Sequence, residues 1–510
     1  MTAKQPSTWT KTIVASMTSY IDAGSIVAGA AGLTIWETYL RMDSWQVGLL
    51  GACSSNAMSA ALGALIGGYI CDRYGRKLVY TYDLLFYILG MLLIVFGVNY
   101  PMLLIGYCIV GLSVGADVVA SWTLIAENAP AENRARHCGT AQVMWALGPA
   151  VVLILSVIMS YTLSDPPKDQ QLKVLVEQRE ALMKQAKTEL EKNKQLGAKQ
   201  IKKIAGDKKL LEKELEQWPL LVELNQVTKE RDELAYELAQ KYILGSRIVF
   251  AHLILIAFIT WIMRLRMPES DSWVASKEKE QELIAQGIWF KPKMSDLFFG
   301  PNLKGVLFLF GVYTIWNLAA GTMGFFLPRI YEKAGGVSAT MASALTVLLF
   351  LASCLSTLFI FMRLADKYSR RMIYCVVACL FIIAWSLFLL PPAALGLPVF
   401  ILIAVLMGVN NGSGQQAFYQ MWGSELFPAR YRASAQGVLF FAARIFIGLW
   451  SLCVPVIMDN YGFPVAAAFL IAFATISMLI GTIFCPDTAG KTLEQIEEER
   501  YGRFNHALQE

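Results

Sequence analysis

The sequence predicts an all-α membrane protein: twelve transmembrane helices in two six-helix halves, with an extracytoplasmic helical hairpin inserted between helices 5 and 6. Three observations carry that prediction. Hydrophobic residues make up 56% of the 510 and charged residues only 16%, more apolar matter than a soluble core can hide. Apolar runs of about 20 residues, each long enough to cross the hydrocarbon as a helix, recur along nearly the whole chain. Two charged loop motifs occur twice at almost one offset, as expected of a chain built from similar halves.

The runs fall near 12–36, 45–70, 78–98, 101–126, 139–163, 242–265, 302–327, 337–361, 372–391, 398–424, 434–458 and 463–485. Asp22 interrupts the first and no small-residue cleavage site stands out after it, so it is expected to stay in place as a span and not to be a signal peptide. The resulting organisation is 1–163 with helices 1–5, a charged insertion at 164–240, helix 6 at 241–265, an inter-half loop at 266–300, helices 7–12 at 301–486 and a tail at 487–510.

Basic residues set the expected orientation, because short cytoplasmic loops retain Lys and Arg. Only Arg41, Arg329 and Lys333 lie on the short loops of the opposite side, which places both termini in the cytoplasm of a multi-pass cell-membrane protein. The net charge of +5 reflects this bias and gives no argument for a nucleic-acid partner. The nine cysteines lie in spans or at their inner ends without metal-ligand spacing and read as small core residues.

"DRYGRK" at Asp72–Lys77 recurs as "DKYSRR" at Asp366–Arg371, an offset of 294. Glu127, Pro130, Arg134 and Gly139 recur as Glu425, Pro428, Arg432 and Gly437 at an offset of 298. "PES" at Pro268 pairs with "PDT" at Pro486 at only 218, and the shortfall of 80 measures the insertion. That insertion holds 15 basic and 15 acidic residues, with Leu190, Leu211, Leu215, Leu234 and Leu238 at helical spacing. A charged antiparallel hairpin is expected, with Gly197 and Gly206 near its turn and a break at Pro219. It could bind a protein partner or mediate self-association.

These paired motifs, with "RLRMPESDSW" after span six and "PDTAGKTLEQIEEE" after span twelve, resemble the sugar porter branch of the major facilitator superfamily. The resemblance covers the chain outside the insertion. Two departures stand out: "PESDSW" replaces the branch's usual "PESPRW", and Ser369 replaces the second loop motif's glycine. In that superfamily, carboxylates and arginines at the helix ends hold the inner side shut and part when the halves rock. The resemblance therefore implies a cytoplasmic gate built from Asp72, Arg76, Glu127, Arg134, Asp366, Arg370, Glu425 and Arg432. Positive-inside retention would account for the basic residues but not for the repeated acids. As partly exposed pairs they would each contribute only about 0–1 kcal/mol, their weight coming from the network.

"AGKT" at Ala489–Thr492 is not a phosphate loop, because Cys485 stands where that loop needs glycine. With no nucleotide, metal or nucleophile constellation, the sequence points to no enzyme and no cofactor; a solute or ion gradient should drive it. Charge inside a span is costly and marks function. By resemblance, Asp22 is the first-helix aspartate that takes the proton, although the arginine the family sets against it is Tyr107 here. Asp117, also mid-span, is the second proton-coupling candidate. Asp83 is expected to brace the loop motif, and His252 to pack.

Gln142 aligns with a glutamine that binds sugar hydroxyls in the family. Trp316 and Asn317 occupy the region where the family keeps paired glutamines, and "NNGSGQQAFYQMW" adds Asn410, Asn411, Gln415, Gln416 and Trp422. Some of these must instead join helices. Arg444 is the sole basic residue read as lying deep in a span, and it falls where sugar porters often place an aromatic. It requires an internal carboxylate or an anionic substrate. The expected function is secondary transport of a small hydroxylated metabolite, a sugar or sugar acid, by alternating access with protons; the altered site tilts slightly towards the anion. A uniporter, a carrier of another small carboxylate, or a transporter-like receptor using the hairpin are the alternatives.

Overall fold

In a computed structural model the chain is described at residues 7–54, 57–192, 219–287, 293–335, 337, 339–391 and 394–507. Their regular structure is all helical, with no strand among them. They form two compact units: one takes in Met1–Ala30, Trp45–Ile154 and Val249–Glu510, the other Ala31–Ser44 and Leu155–Ile248.

The first half contains α1 (Thr8–Leu40), α2 (Ser44–Ala52), α3 (Met58–Tyr74), α4 (Arg76–Val95), α5 (Tyr100–Asn128) and α6 (Arg134–Leu163). After α7 (Pro166–Lys192) comes α8 (Pro219–Arg264), and α9 (Asp271–Ala285) leads to the second half. That half consists of α10 (Gly300–Leu309), α11 (Ile315–Gly335), α12 (Ala339–Ser356), α13 (Arg370–Leu387), α14 (Leu397–Ser413), α15 (Gln415–Glu425), α16 (Arg432–Tyr461) and α17 (Phe463–Ile483), with α18 (Leu493–Ala507) as the tail. Eleven segments among the described residues are long and apolar enough to cross a membrane. A twelfth, α2–α3, is interrupted where Ser59 turns its hydroxyl onto the carbonyls of Cys53 (2.7 Å) and Ser54 (2.9 Å).

Three further spans depart from a plain helix, and all bear on function. A π-turn at Phe310–Thr314 joins α10 to α11, a second at Thr357–Phe361 follows α12, and Gly414 breaks α14 from α15. Such defects free backbone groups, which a membrane protein tolerates only where other protein groups or a cavity take them up.

Close approach holds each half together, since apolar side chains gain little by leaving lipid and packing must come from small residues. A Cβ at Gly115 would stand 2.1 Å from the Ala60 carbonyl, and one at Gly412 would stand 2.2 Å from that of Ser353. The halves meet equally tightly: a Cβ at Gly68 would lie 2.5 Å from the Ala433 carbonyl.

The second unit has its own small core. Leu175, Leu182 and Ala186 of α7 pack with Leu224 and Val227 of α8. Lys168 pairs with Glu237, and Lys241 approaches Asp165 at 3.3 Å, so the partners' numbers fall on α8 as they rise on α7 and the helices run antiparallel. Pro219 opens α8, a position suited to its missing N–H, where the sequence suggested a break. The expected turn glycines Gly197 and Gly206, with Leu211 and Leu215, lie outside the described residues.

Candidate functional site

The eight residues of the repeated loop motifs come together as two crossed clusters. Glu127, at the end of α5, receives Arg76 from its own half at 2.9 Å and Arg432 from the other half at 2.7 Å. Glu425, at the end of α15, receives Arg134 from the other half at 2.8 Å and Arg370 from its own at 3.0 Å. The aspartates cross as well. Asp72 accepts the N–H groups of Ala433 (3.2 Å) and Ser434 (2.7 Å), capping α16, while Asp366 accepts those of Ala135 (3.0 Å) and Arg136 (3.2 Å), capping α6. Each half thus places a carboxylate at the positive end of a helix in the other. Burial raises the Asp366 carboxyl above its usual range, against the opposing pull of those N–H groups and of Arg370.

No member of the eight exposes more than 10% of its side chain. The partly exposed pairs expected from sequence are therefore buried ones, and the relevant penalty is that of stranding a charge, about 3–5 kcal/mol when one partner is removed. Residues outside the motif pairs complete the clusters. Ser270 donates to Glu127, and Thr488 donates to Glu425 at 2.6 Å, so the "PES" and "PDT" segments do equivalent work.

A second group of charges lies in the spans. Asp22 is 1% exposed, and Oδ1 receives no hydrogen bond from the described residues. Arg444 is the cation whose charge reaches its carboxylate. The Arg444 guanidinium sits 4.6 Å from the centre of the Phe440 ring. Tyr313, on the π-turn, stacks on Tyr419 at 3.7 Å, with Asn317 one turn on. Where the family sets an arginine, Tyr107 packs its ring against the backbone of α1 at Gly29.

The expected hydroxyl-binding residues are all buried. Gln142 donates to the Asn411 carbonyl at 2.6 Å and accepts from Gln420 at 3.1 Å, which ties the two halves at mid-span. Trp316 donates to Asn410 at 3.0 Å, and Asn410 donates to Gln415 at 2.7 Å. Asn317 bonds the Tyr313 carbonyl freed at the π-turn (2.8 Å), and Asn411 bonds Ser353 (3.1 Å). Trp422 is wedged among Phe308, Phe418 and Tyr374. Gln416 is 5% exposed on α15. Three buried amide or indole atoms here have no partner among the described residues: Gln415 Nε2, Gln420 Oε1 and Trp422 Nε1.

Asp117 belongs to a third group. It bonds Arg264 at 2.8 Å, Thr18 at 2.9 Å and Ser121 at 2.8 Å. Asp83, expected beside the loop motif, stands 3.8 Å from the same guanidinium. Arg444 is thus not the only arginine buried within the spans: Arg264 is 1% exposed. It stands at the end of an apolar run beside Arg266, where a charge can equally face water. The one available signal was that α4 and α5 each carry an acid that would otherwise lack a cation. His252 meets Tyr20 at 3.2 Å and the Val249 carbonyl, as a packed residue would.

The comparisons with known proteins agree with this architecture. The family described as "Sugar (and other) transporter" matches residues 13–177, and "Major Facilitator Superfamily" matches 241–449 and 318–506. A minor myo-inositol transporter of Bacillus subtilis is 47% identical over 493 residues, 96% of this chain and 94% of the relative. The major myo-inositol transporter of the same organism is 21% identical, covering 92% and 88%. Among solved structures, a proton:xylose symporter bound to a bromodeoxyglucose aligns with a TM-score of 0.71 at 15% identity, covering 96% and 98%. A fucose transporter in its outward conformation aligns at 0.63 and 12%, covering 93% and 98%. The chain is a multi-pass membrane transporter, not an enzyme, and belongs to the sugar porter branch of the major facilitator superfamily.

Proposed function

We propose that this chain carries a neutral cyclic polyol of the myo-inositol kind across the cell membrane by alternating access, in symport with a proton taken by Asp22. The observation that carries the reading is that Asp22 and Arg444 are both buried and that the arginine's charge reaches the carboxylate. An arginine answered by an internal carboxylate leaves the centre nearly neutral, which suits a polyhydroxy ring and removes the reason for the slight tilt towards an anionic substrate. Gln415 Nε2 and Gln420 Oε1, which have no partner among the described residues, with the stacked Tyr313 and Asn317, offer hydrogen bonds and a ring face to such a ligand. The close relative carries myo-inositol in its name, which supports the same class.

The crossed clusters form the latch of this cycle on the side of the loop motifs, and both termini lie on that side in the cytoplasm. With all four glutamate–arginine contacts made, that side is shut; opening it breaks two pairs between the halves, Glu127–Arg432 and Glu425–Arg134. The segment 164–240 is extracytoplasmic and dispensable for folding of the spans.

Uptake of labelled myo-inositol into proteoliposomes under an imposed pH gradient tests the reading. Wild type should accumulate it against its gradient, and Asp22→Asn should abolish accumulation while leaving exchange measurable. Preferential competition by a hexuronic acid, lost in Arg444→Gln, would overturn the neutral substrate; unchanged proton dependence in Asp22→Asn would overturn the role of that residue.

A further inference from the structure

Asp83, Asp117 and Arg264 form a cluster that the polyol reading does not use. Arg264 makes its direct bond to Asp117 at 2.8 Å and lies 3.8 Å from Asp83. Their side chains are 4%, 4% and 1% exposed. Asp83 Oδ1 accepts its own helix's Leu84 N–H at 2.7 Å, and Oδ2 has no donor among the described residues. Both carboxyl groups thus crowd the same guanidinium in a buried place. Two buried carboxylates beside a single cation repel one another as anions, and a proton taken up between them relieves that repulsion.

Charge counting leads to the same place. One guanidinium faces two acids, so with both ionised the cluster would hold an uncompensated negative charge away from water; a buried group in that position takes up a proton instead. The other titratable groups whose charges act in and around it are Asp22 on α1, Cys71 on α3, Tyr80 on α4 and Glu269 beyond α8, none of them a cation; Arg76, which also acts on Cys71, is answered by Asp72 and Glu127. Thr18 and Ser121 complete the donors to Asp117.

We propose that Asp83 and Asp117 share one proton, making a second protonation site distinct from Asp22, and that its occupancy is coupled to the latch. The coupling has a visible route. α4 carries Arg76 at its start and Asp83 two turns on; α5 carries Asp117 and ends at Glu127; Arg264 ends α8 just before Glu269 and Ser270, which bond the latch. Arg264 also donates to the Tyr80 carbonyl at 3.0 Å, and the Tyr80 hydroxyl donates to the Pro268 carbonyl at 2.9 Å. Breaking the latch therefore shifts the three helix ends that set the distance between the two acids and their arginine.

Infrared spectroscopy of purified, substrate-free protein tests this independently of transport. In an Asp22→Asn background, the carbonyl stretch of a protonated carboxylic acid should be present at neutral pH. Adding either Asp83→Asn or Asp117→Asn should abolish it, because the remaining acid then faces Arg264 one to one and ionises. Absence of the band in the background protein, where all three cluster residues are intact, overturns the shared proton; so does persistence of the band in both double variants. Glu127→Gln should move the pH at which the band disappears, and an unchanged midpoint overturns the coupling to the latch.

Discussion

The two crossed clusters share one core and differ in what flanks it. In each, a glutamate sits between two arginines and receives a hydroxyl, from Ser270 in one and Thr488 in the other. They differ at the start of the helix that carries the local arginine. Before α4 stands Gly75 with φ +102°, and the N–H groups of Arg76 and Lys77 are capped from a distance by Glu269, at 3.0 and 3.1 Å. Before α13 stands Ser369 with φ −57°, and its own hydroxyl accepts the Met372 N–H at 3.4 Å. The serine that looked like a departure from the motif is a self-capping solution. It frees Asp487, the repeat partner of Glu269, whose side chain is 90% exposed. The repeat thus preserves the carboxylate–arginine core and leaves the helix cap to either neighbour.

The largest test strikes what the corners share. Glu425→Gln strands Arg134 and Arg370, and Glu127→Gln strands Arg76 and Arg432; each should cost about 3–5 kcal/mol of stability, read as a lowered thermal midpoint in detergent. Equal losses would affirm the equivalence, whereas a loss at one corner alone would break it. Exchanging the residues that differ comes next. Gly75→Ser should destabilise by about 1–3 kcal/mol, since φ is positive there and a Cβ would stand 2.2 Å from Glu269 Oε2. Removing that carboxylate with Glu269→Ala should relieve the clash but not the backbone strain, so the double variant should recover only in part.

A smaller contrast separates the repeat partners themselves. Glu269→Ala should cost about 0.5–2 kcal/mol as a lost cap, whereas Asp487→Ala should stay within about 0.5 kcal/mol; equal effects would remove the proposed division of labour. Least of all, Ser369→Ala should cost about 1 kcal/mol and Ser369→Gly only a few tenths, a graded pair that thermal unfolding can resolve.

Much of the fold was legible because hydrocarbon imposes one rule on every span: twenty or so apolar residues with their backbone bonds made internally. The repeats exposed the two halves and gave the eight residues that cluster at the helix ends. What they could not give was the crossing, in which Asp72 caps the helix of Arg432 and Asp366 that of Arg134. Spacing along a chain records which residues share a helix, not which helix of the other half arrives beside it.

The candidate site divides on the same line. Composition and periodicity by themselves determined that Asp22, Asp117 and Arg444 sit within spans, since a lone charge interrupts an apolar run unmistakably. Arg264 escaped because a charge at the end of a run can equally lie in water. Only the tertiary structure assigned partners: Asp117 to Arg264, with Asp83 beside them, and Gln142 to the carbonyl that Asn411 presents next to the break at Gly414. Burial fixes that charges must be answered, and the sequence shows both the charges and the burial. Which charge answers which depends on distances of a few ångströms between helices far apart in the chain, and packing alone sets those.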